Sequence, residues 1–543
     1  MFMQQLLSRV KANWKSGLTV SLVSIPLSVS LAVASQATPT MGIITAVWAG
    51  LAASIFGGSN YNITGPTGAL SGIIAAYALT HGITLLPMLA ICTGIMVLAA
   101  YLLRLEKYLV FVPGSAIHGF TLGVAFIIAF GQTNAALGLT GLPVHERFIE
   151  NLAESFSHVA DASIAAVAVF GIFLAGLYAF ARFLPKLPGT IILAPIGIIL
   201  GYFASAGVLP FTLITLGSKY ADIGPTLFLR PTFSLDQSLL YASFTVAIVA
   251  ILETMISAKI ADGMTKTKHD KRKEMLGLGL ANIASGFMGG IPATAALART
   301  SLNVKTGAND KISATISSIS IAAISFFLLA YFKFIPLAVI AAILVFTASR
   351  MVEREHFFRM YHLDKKEFAL SLFVAFVTVW VDPIVGILLG TAIALVIFME
   401  KLSRGQFELI VNDLSKRTMT KIVGEKISDL PASDTLVYSI KGQLAYINGQ
   451  AHISRFESGL APCKNVVLRL RELYFIDLDG VEVLNEIVEN AKLQGKGVYI
   501  TGVNPLIKAM LEESETFRKL EREGHVHERT THVLSDLGYP LRG

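Results

Sequence analysis

Thr64-Gly65-Pro66-Thr67-Gly68-Ala69 sets two glycines, a proline and two hydroxyls inside a long apolar stretch. Gly289-Gly290-Ile291-Pro292-Ala293-Thr294-Ala295-Ala296 repeats the interruption in the second half of the apolar region. A helix begun at such a break leaves its first amides unpaired. Hydrocarbon tolerates that only where the backbone is buried in protein or lines a cavity. Pro66 and Pro292 suit the first turn of a half-helix, where no amide donor is needed. Two half-helix N-termini converging on one place make a positive potential suited to an anion, and paired breaks of this kind point to a transport site.

The surrounding composition sets the class. The chain has 543 residues, 54% hydrophobic and 15% charged, with a mean hydropathy of +0.64. Apolar segments recur at roughly 17–35, 41–56, 66–80, 84–103, 113–136, 162–182, 188–206, 238–262, 274–289, 292–304, 312–332, 335–349, 366–382 and 383–400, against the ~20 residues that a spanning helix needs. The expected fold class is therefore a polytopic α-helical membrane protein. The first segment follows Arg9, Lys11 and Lys15 in the order of a signal peptide. It runs directly into another apolar segment, so it reads as a retained span. Net charge is +7, but the basic residues cluster in short loops: Arg104 with Lys107, Arg182 with Lys186, Lys266 to Lys273, and Arg350 to Lys366. That distribution marks the cytoplasmic side, places both termini there, and argues against a nucleic-acid partner. Cys92 and Cys463 are too far apart to suggest a disulfide framework or a metal cluster.

From about Ser403 the apolar runs shorten and charge becomes frequent. Thr435 to Ile440, Asn465 to Leu470 and Gly497 to Gly502 read as strands, and Gly480 to Leu493 and Pro505 to Glu513 as helices, which together imply a small cytoplasmic α/β domain. The expected division is 1–402 in the membrane, with halves of about 1–210 and 236–402, and 403–543 in the soluble domain. The chain lacks a Gly-x-x-x-x-Gly-Lys loop, a clustered His/Cys set and a nucleophile triad, so enzyme chemistry is not expected and energy should come from ion gradients.

Several stretches together resemble the SulP (SLC26) family of anion transporters: Ser24-Ile25-Pro26 to Pro39, Gly65-Pro66, Phe111-Val112-Pro113 with Gly119 to Gly123, Glu253 to Asp262, Asn282 with Ser285-Gly286, and Arg299 to Gly307. Gly442-Gln443-Leu444 and Phe475-Ile476-Asp477-Leu478-Asp479-Gly480 resemble the STAS domain that ends many of those proteins. The resemblance implies two inverted seven-segment repeats split into a core and a gate domain. It also implies a homodimer in the inner membrane and substrate held between the third and tenth segments. It departs from the family at Leu27, where many members carry Gln, and at Ala298, where relatives often carry Ser. Asp479 stands where a phosphorylated Ser is found in anti-sigma-antagonist STAS proteins.

On this reading the substrate-binding residues are Thr64, Gly65, Pro66, Thr67, Gly68, Ala69, Thr294, Ala295, Ala296 and Arg299. An intramembrane Arg is costly and by default functional; the alternative is that Arg299 snorkels to the interface. Glu253 lies inside an apolar span with Ser257 one helical turn on, and the resemblance makes the pair the ion-coupling residues, holding Na+ or passing H+. A structural Glu253–Arg299 ion pair is the competing reading. Ser71 and Gln132 are further polar candidates, and His118 reads as a packed, hydrogen-bonded histidine. No cofactor is expected beyond a coupling ion. The expected partners are a small anion, the lipid bilayer, a second copy of the chain and a cytoplasmic partner of the STAS domain. The expected function is secondary active transport of sulfate or bicarbonate. A proton-coupled carrier of C4-dicarboxylates and an anion channel or sensor with STAS output are the alternatives.

Overall fold

The computed structural model describes residues 2–143, 145, 147–184, 188–220, 223–224, 226–234, 237–381, 383–413, 418–422, 434–460 and 463–539, so the topology mark at Lys186 lies outside the described residues. The chain forms two compact units, Met1–Ala394 and Leu395–Gly543.

Among the described residues, thirteen principal helices lie in the first unit, and a fourteenth begins in it and runs past its end at Ala394. In the first half these are α1 (Phe2–Ala34), α2 (Pro39–Phe56), α3 (Gly68–His81), α4 (Leu86–Leu102), α5 (Gly114–Phe130), α6 (Ile164–Phe183) and α7 (Gly189–Ser205). In the second half they are α8 (Gln237–Thr265), α9 (Lys271–Phe287), α10 (Leu297–Lys305), α11 (Ile312–Leu328), α12 (Leu337–Met351), α13 (Lys365–Trp380) and α14 (Pro383–Ser403). Among the described residues, eight helices are long and apolar enough to cross a membrane. Two-residue strands β1 (Thr64–Gly65) and β2 (Thr294–Ala295) precede α3 and α10.

Packing between the halves is exchangeable. The α2–α11 contact has its counterpart in α9–α4, α1–α11 in α8–α4, α1–α10 in α8–α3, and α5–α13 in α12–α6. Swapping each helix for the one seven places on preserves this scheme, and β1 and β2 pair antiparallel across the same relation. An odd number of crossings per half inserts the second half in the opposite sense, as expected for an inverted repeat. The contacts also separate α1–α4 with α8–α11 from α5–α7 with α12–α13. The two groups touch through α3–α5, α1–α7 and α1–α12. Glycines allow the closest approaches: a Cβ on Gly279 of α9 would lie 2.6 Å from Leu98 Cδ2 of α4, and one on Gly119 of α5 would lie 2.4 Å from the Ser371 carbonyl of α13.

Three expectations need correction. Helix α1 starts about four turns before residue 17, because its polar opening is fastened to the loop after α10. Arg9 pairs with Asp310, Asn13 Nδ2 donates to Asn309 Oδ1 at 2.8 Å, and Asn13 Oδ1 accepts from the Asn309 amide at 3.0 Å. Pro66 and Pro292 do not open half-helices. Helix α3 begins at Gly68 and α10 at Leu297, because the intervening residues extend and pair Thr64 with Ala295 and Gly65 with Thr294. Each break thereby satisfies amides that a helix start would have left open.

In the second unit the sheet runs β4 (Thr418–Ile422), β3 (Gln406–Asp413), β5 (Thr435–Leu444), β6 (Asn465–Arg469), β8 (Gly497–Thr501) and β9 (Val526–His527), with β7 (Leu473–Ile476) beside β5. Strands β5, β6, β8 and β9 pair in parallel. Alternate residues of β5 enter separate cores: Leu436, Tyr438 and Ile440 pack in one with Leu484 and Ile487 of the helix Leu478–Leu493, and Val437 packs in another with Val467 and Val533. Strands β3, β4, β7 and β9 and the helix Gly449–Leu460 were not expected from the sequence.

Candidate functional site

Where β1 and β2 meet, the two interruptions become one site. The Thr64–Ala69 segment and the Thr294–Arg299 segment are joined by the strand pair and by the Ala296 amide, which donates to the Ile63 carbonyl at 3.0 Å. Helices α3 and α10 begin immediately beyond it, and neither Thr67 nor Ala296 caps its helix with a side chain. Two uncapped N-termini thus supply backbone donors and the positive ends of two helix dipoles.

Arg299 lies in the first turn of α10 and is only 2% exposed, so it does not snorkel. Its Nη2 donates to the Pro66 carbonyl, which ties the second half to the first break, while its Nη1 is buried without a hydrogen-bond partner. A buried guanidinium donor left open is costly unless something else fills it. Gly65 makes room for this group: a Cβ there would sit 2.9 Å from Nη1.

Glu253, midway along α8, accepts from Thr67 Oγ1 at 2.9 Å. Its residue surface is partly exposed, unlike that of its neighbours Leu252 and Thr254. Glu253 and Arg299 bind different partners, Thr67 and the Pro66 carbonyl, and form no contact ion pair, which counts against the competing reading of a structural pair. Thr67 was expected at the substrate, yet its hydroxyl is turned to Glu253.

Ser257 belongs to a different network. Its hydroxyl contacts Asn62 Oδ1 at 3.0 Å and Thr300 Oγ1 at 2.9 Å, and Thr300 accepts from the Ile63 amide at 3.1 Å. Asn62 in turn donates to Glu274 Oε1 at 2.6 Å, while Glu274 Oε2 accepts from the amides of Gly58 and Ser59 at 2.8 and 2.7 Å. Thr254 takes the Ala295 amide at 3.1 Å and meets Thr294 Oγ1 at 2.8 Å; Thr294 also donates to the Ala250 carbonyl at 3.0 Å. The Thr294 and Ser257 hydroxyls are therefore committed to holding the strand pair against α8.

Gly68 opens α3 against the other helix group: a Cβ there would meet Ile128 Cδ1 of α5 at 2.3 Å, with Met351 Sδ of α12 at 3.7 Å. Ala69 and Ser71 are buried in the first turns of α3, and Ser71 donates to the Gly68 carbonyl at 2.7 Å. Gln132 is buried beyond the end of α5. His118 is stacked on His356 with ring centroids 3.7 Å apart, rather than hydrogen-bonded as expected.

Sequence reasoning missed Asn62, Thr254, Glu274 and Thr300. Only Glu274 carried a signal, as a carboxylate in the first turn of a span after a basic run. Asp479 lies exposed in the first turn of the helix Leu478–Leu493, which Asp477 caps by accepting from the Gly480 amide at 2.8 Å.

Comparison with known proteins agrees with this architecture. The family model described as the sulfate permease family matches residues 11–374, and that of the STAS domain matches 426–529. YvdB of Bacillus subtilis, named for sulfate transport, is 30% identical, covering 95% of this chain and 96% of that protein. The bicarbonate transporter BicA of Picosynechococcus is 23% identical over 94% of this chain and 92% of its own. Among solved structures, the murine solute carrier 26 family member A9 anion transporter in its inward-facing state gives a TM-score of 0.80 at 13% identity, covering 97% of this chain and 91% of that one. The transmembrane domain of a cyanobacterial BicA gives 0.62 at 23% identity, covering 70% and 97%. These likenesses carry the fold: a helical membrane transporter with a C-terminal STAS domain.

Proposed function

This chain belongs to the sulfate permease family, and from that premise we propose that it is a secondary active carrier of a small inorganic oxyanion, sulfate or bicarbonate. The single observation carrying this reading is the buried Arg299 with an open Nη1, beside two uncapped helix N-termini and in place of a cap. An oxyanion there would take the free guanidinium donor and the first-turn amides of α3 and α10. Glu253 supplies the coupling group. It is held by Thr67 at the entrance to α3, it is partly exposed, and its partners do not overlap those of Ser257. We take a proton as the coupling ion, because the Glu253 carboxylate and the Ser257 hydroxyl have no partner in common that would place a cation between them.

Movement of α1–α4 with α8–α11, as a core, against α5–α7 with α12–α13, as a gate, would expose the site alternately. The start of α3 packs directly on α5 at that boundary. Alternate crossing of the fourteen helices puts Arg9, the α4–α5, α8–α9 and α12–α13 loops and the end of α14 on one side. The basic loops make that side cytoplasmic. We also place the chain in the inner membrane as a homodimer, with the STAS domain free to meet a cytoplasmic partner.

The test is radiolabelled uptake into proteoliposomes with sulfate, bicarbonate and fumarate, each with and without Na+ and a pH gradient. Saturable accumulation of an inorganic anion driven by the pH gradient, and lost in Glu253→Gln, supports the proposal. Fumarate accumulation would identify a dicarboxylate carrier. Purely dissipative flux would indicate a channel, and no flux a sensor.

A further inference from the structure

We propose that His118, Glu353 and His356 form a binding site for a divalent transition ion, with Zn2+ the best fit, outside the anion site. His118 lies in the second turn of α5; Glu353 and His356 lie at the start of the short helix Arg354–Leu363 that follows α12. His118 is more than two hundred residues from Glu353 and His356 in sequence, yet one ligand atom from each of the three falls within 4.8 Å of the others. His118 Nδ1 is 3.7 Å from Glu353 Oε2, too long for a hydrogen bond, and the His118 ring stacks on His356 at 3.7 Å between centroids with 29° between planes.

Among the described residues, none of the three side chains has a hydrogen-bond partner within the protein. Glu353 is the residue that precedes the helix Arg354–Leu363 and His356 lies in its first turn, three residues on, so the start of that helix brings the carboxylate and the imidazole together. Two histidines and one glutamate form the three-ligand set that binds Zn2+ while keeping a fourth position open. Hard cations such as Mg2+ prefer oxygen alone.

A metal here would cross-link the start of α5 to the segment after α12. Both elements already pack within the same helix group, since α5 contacts α12 and α13, and the helix Arg354–Leu363 contacts α13. The ion would therefore rigidify that group without occupying the anion site. It makes the segment between α12 and α13 a point where a metal can act on the transporter, and it is independent of the choice of anion.

The experiment uses the purified full-length protein in detergent, stripped of metal with chelator and titrated with Zn2+, Co2+ and Mg2+ at neutral pH. The expected result is one Zn2+ per chain by calorimetry, a rise in unfolding temperature with Zn2+ but not Mg2+, and visible Co2+ absorption of four-coordinate nitrogen–oxygen type. His118→Gln and His356→Gln should each weaken Zn2+ affinity by about a hundredfold or more, and Glu353→Gln by less. Their metal-free unfolding temperatures, measured beside the wild type, show that each variant is folded. The proposal is overturned if Zn2+ binding persists unchanged in the doubly substituted His118→Gln/His356→Gln protein. It is equally overturned if binding is lost instead on substituting His145 and His158, which flank Glu154 at 3.7 and 3.4 Å.

Discussion

Replacing Arg299 with Met removes the charge while nearly preserving the volume of the side chain, and should collapse anion affinity. The guanidinium is 2% exposed, one of its donors is open, and its other contact is the Pro66 carbonyl. For a unit charge in contact at ~4 Å and an effective dielectric of ~20, the interaction is about 4 kcal/mol, equivalent to roughly a thousandfold in affinity. Arg299→Lys keeps the charge but cannot both hold Pro66 and offer a free donor, so it should lose about tenfold. Equilibrium binding of radiolabelled anion to purified protein measures both, with thermal unfolding as a check on folding. A well-folded Arg299→Met protein with affinity within twofold of the wild type would refute the assignment, because a bystander Arg leaves binding intact.

Three further outcomes follow from the geometry. Gly65→Ala should displace the guanidinium, because its Cβ would lie 2.9 Å from Nη1 and 3.4 Å from the Ala46 Cα; anion affinity should fall about tenfold or more, and an unchanged value would show that the Arg is free to move. Glu274→Ala should leave the Gly58 and Ser59 amides and the Asn62 amide group without their acceptor, lowering stability by about 3–5 kcal/mol, read as the unfolding temperature of the solubilised protein; no drop would mean that the network is incidental. In the STAS domain, burial and then the charge of Arg455 push His452 down to about 4, and Tyr438 contacts its Nδ1 at 2.9 Å. The folded state therefore resists protonation: the full contribution is present above the unfolded value near 6.5 and drains away, by about 3 kcal/mol, as pH falls from there through about 4. Calorimetry of the full chain from neutral pH to below pH 5 should show the STAS transition falling faster in the wild type than in His452→Asn; parallel curves would exclude His452 as the cause.

Long apolar segments were legible because a spanning helix must be apolar for most of its length, whatever it packs against. What hydropathy could not report was pairing. The extension of Thr64–Gly65 depends on Thr294–Ala295, so each break by itself reads as a helix start at its proline. The polar opening of α1 was hidden for the same reason, since Asn13 is satisfied by a loop nearly three hundred residues away.

At the site, Arg299 and Glu253 stood out because ionisable groups are conspicuous in apolar runs. Asn62, Thr254 and Thr300 did not, because such residues are common near helix ends, and only the folded chain shows that their hydrogen bonds pin the strand pair. The same limit hid His118, Glu353 and His356, whose proximity is created by packing of α5 against the region after α12.

The central claim is that one anion sits where the two chain breaks meet. Crystals grown with an anomalously scattering anion that competes for uptake, such as selenate for sulfate, locate it directly. The account predicts an anomalous peak within hydrogen-bonding distance of Arg299 Nη1 and the first-turn amides of α3 and α10. A peak elsewhere, with Arg299 still bound only to Pro66, would contradict it.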